Sequence, residues 1–556
     1  MTELRLFPGA AVVWAATAIV LLSGWQAACI IVMVVAAAWL LLRQRGQGIA
    51  CGGIGLAAVA VAAIRKSRAQ AFEFTQPLEG RISAAPTQTD SGTWLLRLRV
   101  EGFPAQLPVF VKDNPGLETG SRVSLAASFK EAARPGLSPV VAEGSAVGVA
   151  PPRGWAHVVA GNFRELVSES VGPASQGLFP GMVLGDTTLQ ESAERDLYVA
   201  AGLSHLSAVS GANVAIICSA AALVCAAFAL GPAQRVTAAA AALAGFVLLV
   251  GFEPSVQRAA VAGMVGLLAV LNSSRMQPLH ALSLGIIVLI LVDSELALSF
   301  GFALSTAATA GIVVLSPVIV RFLAPTGWPE ILVRALAVAL AADVVTMPVV
   351  ALMAGEVSVV SVLANLLVSP VAAPITILGV LAAACAQLGP IDILGTCLLK
   401  VAEPCTWWIN TVAHGVVALP VSTVAASPWA VALVYGWILL GLAFRRPLLT
   451  LIVVVCAVGA AVYQPGEVDI SRLRTHEVST ESEIAPVPAG TQVIIVRGPE
   501  TGDTSQVSPR RSLPTAFQST PRPTRTKEGI PVLYPSRDGP VRLYRDGVQH
   551  SSDGRF

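Results

Sequence analysis

Residues 8–42 read PGAAVVWAATAIVLLSGWQAACIIVMVVAAAWLLL, an apolar stretch that only Ser23-Gly24-Trp25-Gln26 interrupts. Each of the two apolar runs is about as long as a bilayer is thick, since a spanning helix needs roughly 20 apolar residues. No small-residue cleavage site leads from these runs into a soluble domain. We therefore interpret them as retained transmembrane helices and not as a signal peptide.

Composition points to the same class of protein. Of the 556 residues, 54% are hydrophobic and only 13% are charged, about half of the roughly 25% that is typical of soluble domains. A soluble enzyme, a disordered scaffold and a nuclear DNA-binding protein are therefore disfavoured, and we expect an α-helical polytopic membrane protein. The net charge of +2 indicates no particular partner. The eight cysteines all lie in apolar stretches, which offers no disulfide framework or zinc site.

The chain divides into four regions by composition. We expect N-terminal transmembrane helices over residues 1–64 and a small extracytoplasmic β-domain over residues 65–150. Apolar segments return over residues 151–463, which predicts a second, larger transmembrane domain. Residues 464–556 are rich in Pro, Ser, Thr and Arg and lack apolar periodicity, so we expect a disordered tail.

The polar region after residue 64 predicts short strands. From Leu96 on, apolar residues alternate with charged ones such as Arg97 and Arg99, which is the pattern of a half-buried strand. About five such runs in 85 residues suit an inserted small β-barrel of the OB type. Arg97 and Arg99 form a solvated strand face by default. With Trp94 and Phe110 nearby, they are also candidates for a weak single-stranded DNA platform of stacking plus charge.

Topology follows from the charges in the short loops. Arg43 and Arg45 separate the second and third apolar runs and belong in the cytoplasm by the positive-inside rule. The third helix then places the β-domain outside. Arg65, Lys66 and Arg68 argue weakly for the opposite orientation, but a folded domain translocates largely regardless of its charge.

The most informative stretch is GLSHLSAVSGANV, residues 202–214. Its polar groups crowd the start of a membrane segment, where each one has to find a partner or water. The stretch is therefore either a small-residue packing seam between helices or a hydrogen-bonding surface that lines a path. The positions concerned are His205, Ser207, Ser210, Gly211 and Asn213.

This stretch resembles the signature of ComEC-type competence proteins, a family of inner-membrane DNA uptake channels. Further blocks that resemble the family follow in the family's order over about residues 175–440, namely SVQRAAVAGM (255–264), GFALS (301–305) and ANLLVSP (364–370). The polar β-domain resembles the N-terminal OB-like domain of the same family. The chain departs from the family at Asn213, where a histidine is usual. It also lacks the clustered ligands of the metallo-β-lactamase-like domain found in many members, since the tail has only His476 and His550.

The resemblance implies a channel that passes single-stranded DNA into the cytoplasm during natural transformation. We expect a multi-pass protein of the bacterial inner membrane with no enzymatic activity, no catalytic residues, no metal and no cofactor. The expected partners are single-stranded DNA, the lipid bilayer, a separate DNA receptor, an ATPase and a nuclease, with homo-oligomerisation also among the expectations. The chain has no phosphate-binding Gly-x-x-x-x-Gly-Lys-Ser/Thr loop of its own.

Four further polar residues lie within apolar segments. Arg258 is costly there unless it pairs with Glu253 or Asp293 or contacts a passing phosphate. Ser305 suits helix packing, and Asn365 before Pro370 suggests a broken or kinked helix that exposes backbone groups. Asp343 is either a helix–helix hydrogen-bonding residue or part of an ion-coupled path. A polytopic small-molecule or ion-coupled transporter is therefore the alternative function, and a membrane-embedded enzyme ranks last.

Overall fold

The structure is a computed structural model. It describes residues 5–89, 93–112, 117–132, 135–150, 152, 154–207, 209, 211–251, 256–261, 263–264, 278–389, 392–419, 422–444, 452–453, 473–479, 487–488, 490–496, 530–533, 541–543 and 549–551. Most of these residues are helical. They belong to two compact units, of which the first is formed by Met1–Thr87, Trp94–Val349 and Ser358–Thr423.

The first unit begins with three packed apolar helices, α1 (Phe7–Ser23), α2 (Trp25–Leu41) and α3 (Arg45–Gln70). The third continues past its predicted end, because its last turns make polar contacts. Lys66 Nζ donates to the carbonyls of Val20 and Leu21 at the end of α1, 2.9 Å each. Arg65 Nη1 donates to Ser294 Oγ at 2.8 Å. Two of the three cations that argued against the assigned topology thus have specific structural partners.

The predicted five-stranded barrel is confirmed. Its strands are β1 (Leu78–Gln88), β2 (Trp94–Arg99), β3 (Gln106–Val111), β4 (Arg122–Glu131) and β5 (Val140–Ala150). They close in the order β1-β2-β3-β5-β4, with β3 and β5 parallel and β4 paired antiparallel to β1. Leu96 and Leu98 are fully buried inside the barrel while Arg97 and Arg99 are exposed, as the alternation predicts. Leu21 and Ala69 join the barrel core, so the barrel sits on the ends of α1 and α3.

The remaining helices follow in chain order. After the barrel come α4 (Trp155–Ser170), α5 (Pro173–Gln176), α6 (Leu178–Leu184), α7 (Ser192–Ala200), α8 (Gly211–Ala227) and α9 (Pro232–Val250). Residues 256–261 and 263–264 are also helical, and we call them the Arg258 segment. The later helices are α10 (Pro278–Val292), α11 (Phe300–Leu323), α12 (Glu330–Ala354), α13 (Ser361–Cys385), α14 (Asp392–Val417) and α15 (Pro428–Ala443).

Among the described residues, five helices are long and apolar enough to cross a membrane: α3, α9, α11, α12 and α13. Five shorter apolar stretches accompany them, in α1, α2, α8, α10 and α15. The chain is therefore a multi-pass membrane protein. Helices α11 and α12 approach closely at Gly311, where an added Cβ would lie 2.4 Å from the Ala341 carbonyl oxygen.

The second unit comprises Gln88–Thr93, Val350–Val357 and Val424–Phe556. Its described tail residues form a three-stranded parallel sheet and a separate two-stranded antiparallel sheet. These strands are β8 (Thr475–Val478), β9 (Val493–Val496), β10 (Val532–Leu533), β11 (Val541–Leu543) and β12 (Gln549–Ser551), and they follow two three-residue strands, β6 (Glu356–Ser358) and β7 (Thr423–Ala425). The structure differs here from the predicted disorder, because the apolar run of β9 buries Val493 and Ile494 completely.

The packing of the first three helices yields a test. An added Cβ at Gly55 would lie 2.7 Å from Val12 Cγ1 and 2.8 Å from Val32 Cγ1, whereas at Gly53 it would meet nothing within 4 Å. We expect Gly55→Ala to destabilise the protein by about 1–3 kcal/mol through overpacking, with Gly53→Ala as the matched control that causes no loss. Thermal unfolding in detergent measures both, and equal effects would contradict the packing.

Candidate functional site

The stretch 202–214 folds as a tight turn, a 3₁₀ helix (Ser204–Ser207) and the start of α8. Gly202 has φ +72°, a conformation that residues with a Cβ rarely adopt, and an added Cβ would lie 2.5 Å from Ser361 Cβ. Only glycine therefore allows the stretch to pass this closely over the start of α13. This contact places the stretch against the first turn of α13, three residues before the block ANLLVSP begins.

Asn213 is buried in a polar seam between three helices. Its Nδ2 donates to the Met182 carbonyl of α6 at 2.6 Å, and Thr376 Oγ1 of α13 donates to its Oδ1 at 3.5 Å. A buried amide that lost these partners would carry the full cost of desolvation. The contacts of Asn213 therefore match the packing interpretation of the stretch more closely than the path interpretation.

His205 and Ser207 lie on the 3₁₀ helix. Ser207 Oγ accepts a hydrogen bond from Gln190 Nε2 at 2.8 Å. The His205 side chain is exposed. Ser210, another of the five predicted positions in this stretch, lies outside the described residues.

Arg258 is the centre of a second cluster, next to the start of α8. Its Nε donates to Ser305 Oγ and its Nη1 donates to Thr309 Oγ1, both at 2.7 Å. An added Cβ at Gly211 would lie 3.8 Å from Arg258 Nη2. The structure thus brings together three residues predicted separately, Gly211, Arg258 and Ser305.

The partners of Arg258 differ from the expected carboxylates. Asp293 accepts the backbone N–H of Glu295 instead, at 3.0 Å, and Glu253 lies outside the described residues. Among the residues that the structure describes, no carboxylate lies within 4.0 Å of the Arg258 guanidinium. The described side-chain partners of Arg258 are thus two neutral hydroxyls, which orient its guanidinium group.

Thr309 was missed by the sequence analysis. It lies four residues after Ser305 on α11 and thus on the same helix face, and its hydroxyl also donates to the Ser305 carbonyl at 3.0 Å. The signal that could have found it is the spacing of two hydroxyl residues at i and i+4, read together with an arginine on another apolar segment.

The remaining predicted membrane residues lie on α12 and α13. Ser361 Oγ donates to the buried Asp343 Oδ1 at 2.8 Å, which confirms that Asp343 makes a hydrogen bond between helices. Asn365 is half-buried one turn further along α13, and its carbonyl accepts from Ser369 Oγ at 2.6 Å. The predicted break is not observed, because α13 runs through Pro370 as one helix.

A buried polar network that the sequence analysis also missed precedes Gly202. The hydroxyl of Tyr198, which is fully buried, lies 2.8 Å from Glu194 Oε1 and also contacts Asn410 Oδ1. Burial raises the pKa of Glu194 above its usual value, against the effect of the Tyr198 hydrogen bond, which lowers it. The network fixes α7, and with it the turn that carries Gly202, against α14.

The predicted DNA-binding residues of the barrel lie on opposite faces of β2. Arg97 and Arg99 are exposed, whereas Trp94 falls on the same side of the strand as the buried Leu96 and Leu98. The register pairs Leu95 with Phe110, so Phe110 and not Trp94 is the aromatic residue on the arginine face. Of the two aromatic residues named for the predicted platform, Phe110 therefore lies on the arginine face and Trp94 does not.

The arginine face of the barrel meets the turn Ser294–Leu298, which lies between α10 and α11. Glu295 Oε2 accepts the backbone N–H of Gln106 at 3.4 Å, and Leu298 packs against the barrel core. Burial and the neighbouring Asp293 raise the pKa of Glu295 to about 7, although Gln106, Arg97 and Arg99 act to lower it.

A second polar contact joins the barrel to the helices. Arg164 of α4 bridges Glu118 Oε1 at 2.7 Å and Asp186 Oδ2 at 2.9 Å. His157 Nδ1 lies 3.1 Å from the other Glu118 oxygen. Glu118 precedes β4, so the barrel is held at two places, by Glu295 and by Arg164.

The raised pKa of Glu295 predicts how stability depends on pH. Between about pH 4.5 and 7 the folded protein retains a proton that the unfolded chain loses, so stability decreases as pH rises through this window and levels off above it. We expect a loss on the order of 2 kcal/mol. Glu295→Gln should abolish this component in thermal unfolding of the detergent-solubilised protein, and an unchanged pH profile in that variant would contradict the assignment.

Comparison with known families gave one finding. Residues 182–460 match the family model described as Competence protein. The matched range includes Gly211, Arg258, Ser305 and Asn365. No match was found among curated proteins or among solved structures.

Proposed function

Because the chain belongs to the Competence protein family, which acts in DNA uptake, we propose that it is the channel through which single-stranded DNA crosses the membrane into the cytoplasm. In this proposal the protein resides in the bacterial inner membrane, with the barrel on the outer side as the charges of Arg43 and Arg45 predict. A DNA receptor, an ATPase and a nuclease are separate proteins.

The cluster around Arg258 is the observation that carries the proposal. A guanidinium inside apolar helices is expensive, and such residues face a partner or a water-filled cavity and mark pathways. Here the described partners are hydroxyls, so the site can take up an anion such as a DNA phosphate. One cation flanked by hydroxyls binds weakly enough to release the phosphate again, which conduction requires.

The position of Ser305 and Thr309 along α11 supports the same path. They lie five and nine residues after Phe300, or about 8 and 14 Å along the helix at its rise of 1.5 Å per residue. The turn before α11 contacts the barrel through Glu295. A DNA strand that reached the barrel would therefore meet the Arg258 cluster further into the membrane, along α11.

Gly211→Ala separates the path interpretation from simple packing. The added Cβ would lie at ordinary contact distances, 3.6 Å from Ala259 Cβ and 3.8 Å from Arg258 Nη2, and alanine favours helix over glycine by about 0.5–1 kcal/mol. We expect unchanged or higher thermal stability together with a several-fold loss of labelled DNA in the cytoplasm. Normal DNA uptake in a stably folded variant would contradict the path at Gly211.

Arg258→Gln tests the charge directly. We expect DNA uptake to fall at least tenfold, because the positive contact within the membrane is lost, and Arg258→Lys to retain part of it. Arg334→Gln is the matched control, since Arg334 is an exposed arginine paired with Glu330 at 2.5 Å on another span. The measurement is labelled DNA reaching the cytoplasm in cells with equal amounts of folded protein. Equal uptake by the Arg258→Gln and Arg334→Gln variants would reject the proposal.

A second candidate function, ion-coupled transport, rests on Asp343. This carboxylate is buried within a candidate membrane span and accepts a hydrogen bond from Ser361. Asp343→Asn retains an oxygen that can accept this bond but removes the charge. If Arg258→Gln had no effect on DNA uptake while Asp343→Asn abolished proton-driven transport of a small solute into proteoliposomes, the second function would replace the first.

A further inference from the structure

Helix α14 carries five polar residues and one tryptophan on a single face along most of its length. They recur at alternating spacings of four and three residues, the pattern of one helix face. We call them the α14 stripe, and its members are Thr396, Lys400, Glu403, Trp407, Asn410 and His414. From Thr396 to His414 the stripe runs about 27 Å at a rise of 1.5 Å per residue. This length is close to the roughly 30 Å of the hydrocarbon core of a bilayer.

The α14 stripe lies at the depth of a membrane span, because α14 packs antiparallel to α13, which is a candidate span. An added Cβ at Gly395 would lie 3.5 Å from the Ala382 carbonyl oxygen, near the end of α13. Trp408 Nε1 donates to the Leu367 carbonyl near the start of α13, at 2.9 Å. Glu403 lies between these two contacts, about 12 Å from the first and 8 Å from the second along the helix.

The stripe contains an ion pair that is open to the outside of the protein. Lys400 Nζ lies 3.0 Å from Glu403 Oε2, and the two side chains are 55% and 25% exposed. The other Glu403 oxygen accepts the Gly172 N–H at 2.7 Å. Charged side chains at membrane depth are expensive in lipid, and they face the bundle interior or a water-filled cavity. The exposure of this pair therefore indicates that water, and not acyl chains, lies beside it.

The ion pair borders a cleft that has room for water. The cleft measures about 470 Å³ and is bounded by the turn 172–175 and by Lys400, Glu403, Pro404 and Trp407. A water molecule needs about 10–15 Å³ of such space and two to four polar partners, which the ion pair and the backbone of the turn supply. Beneath the cleft, buried Thr406 Oγ1 donates to Ser175 Oγ at 2.8 Å. This bond holds the turn against α14, so the cleft is preformed.

The neighbouring flank of α14 is apolar. Val401 follows Lys400 directly and so points about 100° around the helix. Its side chain is 66% exposed, and Leu394, one heptad earlier on the same flank, is 51% exposed. Large apolar side chains on the outside of a membrane protein suit contact with acyl chains. The outward side of α14 therefore has a lipid-compatible flank beside a charged one.

We propose that the α14 stripe borders a water-filled groove within the membrane, which admits small hydrophilic ions of either charge. Because Lys400 and Glu403 carry opposite charges, the groove has no net charge that would exclude anions or cations. No residue of α14 is among the described contacts of Arg258 and Gly211. The groove is therefore separate from the path proposed above, and its existence does not depend on that function.

The reactivity of introduced cysteines tests the groove in membrane vesicles that contain the full-length protein. Trp407→Cys and Pro404→Cys each place a thiol in the cleft and leave the ion pair intact. Val401→Cys is the matched control, since Val401 is 66% exposed and Trp407 60% exposed on the same helix. The probes are two methanethiosulfonates, one with a trimethylammonium group and one with a sulfonate, present on both sides of the membrane. Mass spectrometry of the digested protein measures the modification of each cysteine.

The thiolate is the reactive form of cysteine, and apolar surroundings suppress its formation. We expect Trp407→Cys and Pro404→Cys to react with both probes at least tenfold faster than Val401→Cys. Thermal unfolding in detergent checks that each variant is folded. Pro404→Cys keeps the test available if loss of the indole destabilises the protein, because cysteine is compatible with a helix interior and proline is not.

Three results would overturn the proposal. Reaction in the cleft as slow as at the control would mean that lipid covers the α14 stripe. Equally fast reaction of Val401→Cys would mean that water surrounds the whole helix and that no groove exists. A disulfide that forms between two copies of the Trp407→Cys variant would mean that the stripe faces protein and not water.

Discussion

The Arg258 guanidinium has to be satisfied inside a bundle of apolar helices, and much of the structure follows from how this is done. Ser305 and Thr309 hold it from one helix face at 2.7 Å each, which requires α11 to lie against the Arg258 segment. Gly211, at the start of α8, lies beside the same guanidinium. Three segments, α8, α11 and the Arg258 segment, therefore converge on one cation whose described side-chain partners are hydroxyls.

The barrel is coupled to this cluster through one short turn. Ser294–Leu298 contacts the barrel on one side and leads into α11 on the other. Its Glu295 lies near Arg97 and Arg99 and is buried enough for its pKa to rise to about 7. The residue that docks the barrel therefore lies within the electrostatic field of the barrel's own arginines. The contact of Arg164 with Glu118 and Asp186 holds the barrel from a second side.

The stretch 202–214 combines two roles that the sequence could not separate. Gly202 and Asn213 pack and hydrogen-bond against α13 and α6, so a packing seam describes them well. His205 is exposed, and Gly211 lies beside the Arg258 cation. Gly202 and Asn213 therefore fix the stretch in place, while His205 and Gly211 lie between them without a role in that seam.

Sequence and structure agree most closely where the signal is local. Apolar length predicted the spanning helices. The alternation around Leu96 and Leu98 predicted which side of β2 is buried, because alternate residues of a strand face the same side of the sheet. The tail shows the limit of this reasoning. Its composition predicted disorder, yet the short apolar run Val493–Val496 forms the central strand of a parallel sheet, whose partners lie far away along the chain.

By itself, the sequence determined that the chain is a multi-pass membrane protein with an inserted β-barrel, and the motif blocks pointed to the competence family. It also marked Gly211, Arg258 and Ser305 as separate candidates. Only the tertiary structure decided that these three meet and that Thr309 and not Asp293 is a partner of Arg258. Contacts between residues tens or hundreds of positions apart depend on helix packing and strand register, which no periodicity within a single segment encodes.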